Sequence, residues 1–264
     1  MDLIVGGGVV GLSIAWRLAR AGQDVTVIDP APASGASHAA AGMLAPVSEV
    51  AYTEEPLLRL GLAALERWPA FAAELEADSG LSVDYRAHGT LDVAFGADDL
   101  AALEELAAFM DKLGLPVERL TGRECRRLEP MLSPSVRGGV LAGGDAWVDP
   151  RRVTAALLAA LETMRVPVVP RRATDLLDGA VRLADGELLT GERVVLAAGA
   201  WSGELADVPV RPVKGQIMRL RSPTRCSAGA CAAWCTARPC TSSRAATARW
   251  WSARRRRSWA STPG

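Results

Sequence analysis

The chain has 264 residues, enough to bury one large core or two interleaved ones. Its formal charge of zero hides an asymmetry: residues 225–264 carry eight arginines and no acid, which leaves the remainder with eight more acids than bases. An acidic body without a basic stripe argues against nucleic acid as a partner, and no apolar run approaches the ~18 residues of a membrane-spanning helix.

In chain order, residues 1–5 are a short apolar run that predicts a buried strand. The run is too short for a secretory signal, and a glycine turn interrupts it. Gly6-Gly7-Gly8-Val9-Val10-Gly11 follows and fits the pattern G-x-G-x-x-G. Leu12, Ile14, Ala15, Leu18 and Ala19 then predict a helix, and residues 24–28 a second strand that ends at Asp29. Each glycine has a physical task in this arrangement. Gly6 permits the tight turn off the strand, Gly8 lets backbone approach a pyrophosphate, and Gly11 lets the helix lie close on the sheet. The helix N-terminus offers free N–H groups and a positive dipole end to the phosphates. Asp29 stands where an acid accepts hydrogen bonds from the ribose hydroxyls of a dinucleotide.

Residues 34–46 are built almost wholly of small side chains, which lets backbone amides approach a bulky ligand and favours a flavin over a nicotinamide. Residues 54–78 predict a long amphipathic helix with Leu57, Leu60, Leu62, Leu65, Trp68, Phe71 and Leu75 as its core face. Residues 85–95 alternate as a strand and 97–113 predict a second long helix. Thr121 with Glu124 forms a capping box. Asp149 followed by Pro150 starts a helix to about residue 164. Strands are predicted at 166–169, at 193–197 running into an Ala-Ala-Gly turn, and at 209–220 outside the nucleotide sheet, with a hairpin at Asp185-Gly186.

These segments resemble the family of FAD-dependent amino-acid oxidases that includes D-amino-acid oxidase, sarcosine oxidase and glycine oxidase, the glycine oxidases of thiamine biosynthesis most of all. The resemblance is carried by the Gly6 to Gly11 fingerprint, AAAGMLAP (39–46), GGDAWVDP (143–150), VVLAAGAWS (194–202) and RPVKGQIMRL (211–220), in register to about Pro223. It implies an α/β fold in which a Rossmann-like FAD-binding domain (residues 1–47 and 137–206) is interleaved with an antiparallel-sheet substrate domain that is incomplete here (48–136 and 207–223). FAD is the cofactor implied. Besides Gly6, Gly8, Gly11 and Asp29, the resemblance assigns Val9, Val10, Pro30 and Ser37 to it, then Ala41, Gly42 and Met43 of the small-residue segment. Ala173, Ala198, Gly199 and Trp201 complete the cofactor set.

The implied reaction is oxidation of the amine of glycine or a small amino acid with molecular oxygen. An Arg pairs with the substrate carboxylate and a Tyr helps to fix it. Neither is assignable here, so no catalytic residue is named; His38 and His88 are read as ordinary polar residues. Another FAD-dependent amine or D-amino-acid oxidase, a dehydrogenase of the same superfamily, and an inactive fragment remain open as alternatives. A cytoplasmic location fits Cys125 as the single cysteine before residue 224, and a homo-oligomer is compatible with the family.

Residues 224–264 fit none of this. The stretch lacks Leu, Ile, Val, Phe and Tyr, yet it holds four of the five cysteines and four of the eight tryptophans. Cys226, Cys231, Cys235 and Cys240 lack both knuckle spacing and a nearby His, so no metal site is expected. The chain has 28 arginines and only two lysines, which points to a GC-rich gene. Back-translated with GC-rich codons and read one nucleotide earlier, the tail yields PVLRRRVRGLVHG and VYLVPRGDGEVVVGATEEELGVDT. That sequence alternates like strands around an Asp-Gly turn and resembles the continuation of glycine oxidases. Residues 224–264 are therefore read as out of frame. The family Tyr and a following Pro-Arg occur only in the shifted frame, and the substrate Arg falls beyond Gly264. The substrate sheet is expected to keep an unpaired edge.

Overall fold

In the computed structural model, residues 1–215 and the backbone of 230–233 are described. Strand β1 (Asp2–Val5) leads through the glycine turn into α1 (Val9–Arg20), then β2 (Val25–Ile28). The small-residue segment forms a short helix, α2 (Gly35–Ala39), and a two-residue strand, β3 (Met43–Leu44). Next come α3 (Glu55–Ser79), β4 (Thr90–Ala94), α4 (Ala97–Lys112), β5 (Glu118–Thr121) and α5 (Gly122–Leu128). They are followed by β6 (Gly138–Ala142), β7 (Ala146–Trp147), α6 (Pro150–Thr163), β8 (Val168–Val169) and β9 (Ala173–Leu177). Strands β10 (Ala180–Leu183), β11 (Leu188–Thr190) and β12 (Arg193–Leu196) precede a 3-10 turn (Gly199–Trp201) and α7 (Ser202–Leu205), and β13 (Ala230–Ala233) closes the series. Residues 209–215 of the predicted strand 209–220 form no strand, and the rest of it lies outside the described residues.

The chain divides into two compact units. The first comprises residues 1–44, 63–86 and 147–214 and contains a parallel sheet of order β12-β1-β2-β8. Its central strands are buried on both faces, as their continuous apolar sequence requires. Ile4, Val25 and Val27 pack with Leu12 and Trp16 of α1 and with Val153, Leu157 and Leu161 of α6. Leu3, Val5 and Ile28 point the other way, into a cluster with Ala173, Val181 and Leu183 of the antiparallel meander β11-β10-β9. That meander contains the predicted Asp185-Gly186 hairpin. Asp149 caps α6 by accepting from the Arg151 N–H, with Pro150 at the first helical position.

The second unit comprises residues 45–62, 87–146 and 215–264. Strands β4, β6 and β5 are antiparallel neighbours, and β13 adds to β4 in parallel. The expected unpaired edge at β4 is thus occupied. Ladder pairing uses backbone groups, so an open edge accepts even a segment as poor in strand formers as residues 230–233. The Thr121–Glu124 capping box forms as the sequence indicates.

These boundaries differ from the sequence reading. Residues 63–86 lie in the first unit, where Ala72, Leu75 and Val83 join the core around Trp16. Residues 137–146 lie in the second, because β6 is the central partner of β4 and β5. Residues 207–214 remain with the first. Helix α3 therefore passes from one core to another, and its apolar seam shifts along its length. Leu58 and Leu62 pack inward near its start, while Leu57 and Leu60, expected in the core, are 61% and 67% exposed. Beyond Pro69, Phe71, Ala72 and Leu75 face inward.

Candidate functional site

Most of the residues assigned to FAD from the sequence converge on the C-terminal ends of β1, β2 and β12, all within the first unit. Gly6 has φ +117°, open to glycine alone, and a Cβ there would stand 2.2 Å from the Ala197 carbonyl oxygen. The turn after β12 is therefore seated directly on the glycine loop, bringing Ala198 and Gly199 (φ +56°) to it. A Cβ on Gly11 would lie 1.9 Å from the Gly6 carbonyl oxygen, so the helix-on-strand approach is as close as the fingerprint demands.

At Gly8 the surroundings are open: a Cβ would meet only Ser37 Oγ, at 3.1 Å. Gly8 is the N-cap of α1 and supplies no side-chain cap, and the first turn holds no acid. The Val9 N–H donates to Ser37 Oγ at 2.9 Å, and Val10 beside it is 61% exposed. This positive helix end, whose N-cap residue supplies no side chain and beside which there is free space, fits the pyrophosphate of a dinucleotide.

Asp29 holds the loop in shape. Its Oδ2 accepts the Gly7 N–H and its Oδ1 the Ala31 N–H, both at 2.7 Å. The Ala33 N–H in turn donates to the Gly7 carbonyl at 2.8 Å. Gly7 is the residue that sequence reasoning missed: it sits at an unspecified position of the motif, yet its amide holds Asp29 and a Cβ there would stand 2.9 Å from the Asp29 Cβ. A carboxylate has about four acceptor sites, so Asp29 retains capacity for ribose hydroxyls. Pro30 follows on the exposed rim.

Gly42 (φ +86°) is pressed against the turn before α6. A Cβ there would lie 2.0 Å from the Val148 carbonyl oxygen, and the Val148 N–H donates to the Gly42 carbonyl at 2.9 Å. Ala41 and Met43 flank it, half-buried. Trp201 is 53% exposed, its ring 3.6 Å from where a Gly35 Cβ would stand. Ala173 is placed differently: it begins β9, and its side chain is buried in the cluster with Val5 and Ile28. His38 and His88 are both exposed, and the His38 carbonyl accepts from Arg151 Nε at 3.1 Å. Among the described residues no grouping of His, Cys, Asp or Glu could hold a metal ion. The side chains of the four tail cysteines lie outside the described residues.

The family model for FAD dependent oxidoreductases (DAO) matches residues 3–246. The chain belongs to this FAD dependent oxidoreductase family. FAD is the cofactor that the family uses, and the cradle at Gly8 fits its pyrophosphate. A bifunctional protein ThiO/ThiG of Synechocystis sp. is 35% identical over 228 residues, covering 84% of this chain and 33% of that protein. A glycine oxidase of Geobacillus kaustophilus is 32% identical over 233 residues, covering 83% of this chain and 61% of that protein. The crystal structure of glycine oxidase from Geobacillus kaustophilus superposes with a TM-score of 0.72 at 30% identity, over 77% of this chain and 56% of that one. The chain thus spans about a third of the first of these two curated relatives and about three fifths of the second. Among the described residues, no helix of this family member is long and apolar enough to cross a membrane.

Proposed function

We propose that this family member holds FAD across Gly6, Gly8, Gly11 and Asp29, and that its complete enzyme oxidises the amine of glycine or another small amino acid with oxygen as acceptor. The observation that carries the reading is the open α1 N-terminus at Gly8, bordered by Ser37, with the Ala197–Ala198 turn seated on the neighbouring Gly6. The likeness to glycine oxidase supports the substrate class. Bound flavin would supply the hydride acceptor. The chain's own part is to bind the dinucleotide, orient it through the α1 amides and keep the loop closed through Asp29. The residues that grip a substrate carboxylate are not assigned in this sequence. We place the enzyme in a reducing cytoplasm, in keeping with the buried free thiol of Cys125.

The test is spectroscopic and then catalytic. Purified protein should carry flavin absorbance. Oxygen uptake and peroxide release with glycine, sarcosine and D-alanine are compared with reduction of an artificial electron acceptor. Turnover only with the artificial acceptor would make the enzyme a dehydrogenase, and absence of flavin would remove the cofactor reading.

A further inference from the structure

Asp145 is a fully buried carboxylate that flavin binding, as described above, does not use. It follows the Gly143-Gly144 turn. Its N–H donates to the Ala142 carbonyl at 3.2 Å, and its own carbonyl accepts the Gly89 N–H at 3.0 Å, so its backbone is held from both sides. Its side chain reaches a distant part of the sequence: Oδ1 accepts the Val47 N–H at 3.1 Å and Oδ2 the Ser48 N–H at 3.0 Å. The Thr90 hydroxyl donates to it as well. A carboxylate is costly to bury and persists only when its lone pairs are met; here two successive amides of one turn meet them.

The turn it grips is the direct continuation of the small-residue segment. Residues 42–48 are tied at one end by the Val148 N–H on the Gly42 carbonyl and at the other by Asp145 on Val47 and Ser48. Both ties come from the single stretch 145–148. Between them lie β3, with Met43, and then Ala45 and Pro46. We propose that Asp145 is a positioning residue for the flavin: by clamping the Val47–Ser48 turn it sets the course of residues 43–46, and with it the seat of the ring. This role rests on the cofactor reading given above.

The unmutated chain is compared with Asp145→Asn and Ser48→Pro. The first removes one of the two acceptors, and the second removes one donor while leaving the carboxylate intact. Amide exchange across residues 44–50, thermal unfolding, and FAD titration followed by flavin fluorescence are read on each. Exchange at Val47 should accelerate by roughly tenfold or more in both variants, as should exchange at Ser48 in Asp145→Asn, and the flavin Kd should rise by about tenfold, as loss of one charge-assisted bond implies. Faster exchange with an unchanged Kd in a folded variant overturns the positioning role. Unchanged exchange overturns the clamp itself. If Asp145→Asn does not fold, Ser48→Pro decides by the same two criteria. An unmutated chain that takes up no flavin, while exchange responds as expected, overturns the cofactor reading and the positioning role with it.

Discussion

An alanine at Gly11 and a valine at Gly8 pose different physical problems, although both glycines belong to one motif. At Gly11 the new Cβ would stand 1.9 Å from a backbone oxygen that cannot swing away, so α1 must move off β1. Gly11→Ala should cost about 1–3 kcal/mol, read as a lower midpoint in urea. At Gly8 the backbone is extended (φ −79°, ψ 179°) and the space holds only the Ser37 hydroxyl, so the protein itself tolerates a side chain. Gly8→Val should therefore unfold near the parent temperature and yet lose its flavin absorbance. A yellow Gly8→Val protein would show that the pyrophosphate lies elsewhere. Asp92 is a third case, set by charge rather than shape. Burial, then the neighbouring Asp145 and Glu49, push its carboxyl up to about 7 from an ordinary 3.8. Its raised folded value means that the native state holds the proton more tightly than the unfolded chain. The resulting contribution is fully present below pH ~4 and is lost as pH rises to about 7, by roughly 1.4 kcal/mol per unit. Asp92→Asn, neutral at every pH, should raise the midpoint at pH 8 and flatten the loss of stability between pH 5 and 7. An unchanged pH profile would show that Asp92 is ionised in the fold.

At the scale of elements, α6 shows how a cap and a core act together. Asp149 accepts the Arg151 N–H at 3.0 Å, and its own N–H donates to the Val83 carbonyl at 3.2 Å, while Val153, Leu157 and Leu161 bury one face against α1. Asp149→Ala should lower stability by about 1 kcal/mol through loss of the cap, measured by chemical unfolding, with helix content retained below the transition. The beginning of this helix was legible because Asp-Pro is a local signal; so were β1, α1, β2 and the Thr121 capping box. The elements that escaped are those whose partners are distant in sequence. Strand β5 is exposed along most of its length and β6 contains two glycines, so neither shows a period, yet they pair with each other and β6 with β4. Helix α3 misled for a related reason. Its leucines fit one continuous stripe, but two cores claim different faces, and the stripe through Leu57 and Leu60 belongs to neither. Within the site, the glycines and Asp29 could be named from spacing alone. The amide of Gly7 and the carboxylate of Asp145 could not, because each acts through a backbone partner that spacing does not reveal.

Over the whole chain, the out-of-frame reading of residues 224–264 makes activity depend on the sequence after Pro223. The nucleotide sequence downstream of the Pro223 codon decides directly whether residues 224–264 are read out of frame. The functional consequence follows from what the shifted frame contains. The Tyr and the Pro-Arg that the family resemblance calls for are present there and absent here. Groups that orient a substrate are worth orders of magnitude in rate, because they convert a chance encounter into a held geometry. The parallel sheet of the first unit, its cradle and its Asp29 clamp are all built from residues before 215. Flavin binding and turnover should therefore separate. The 264-residue protein should bind FAD, though weakly, and show at most a trace of glycine-dependent oxygen uptake. The frame-restored protein should release peroxide, ammonia and glyoxylate from glycine at a rate higher by a factor of roughly a hundred or more. Both proteins are assayed side by side with glycine, sarcosine and D-alanine, at saturating FAD so that weak binding does not pass for lost catalysis. Equal turnover by the two would show that residues 224–264 serve the reaction as they stand, and that the frame argument is wrong.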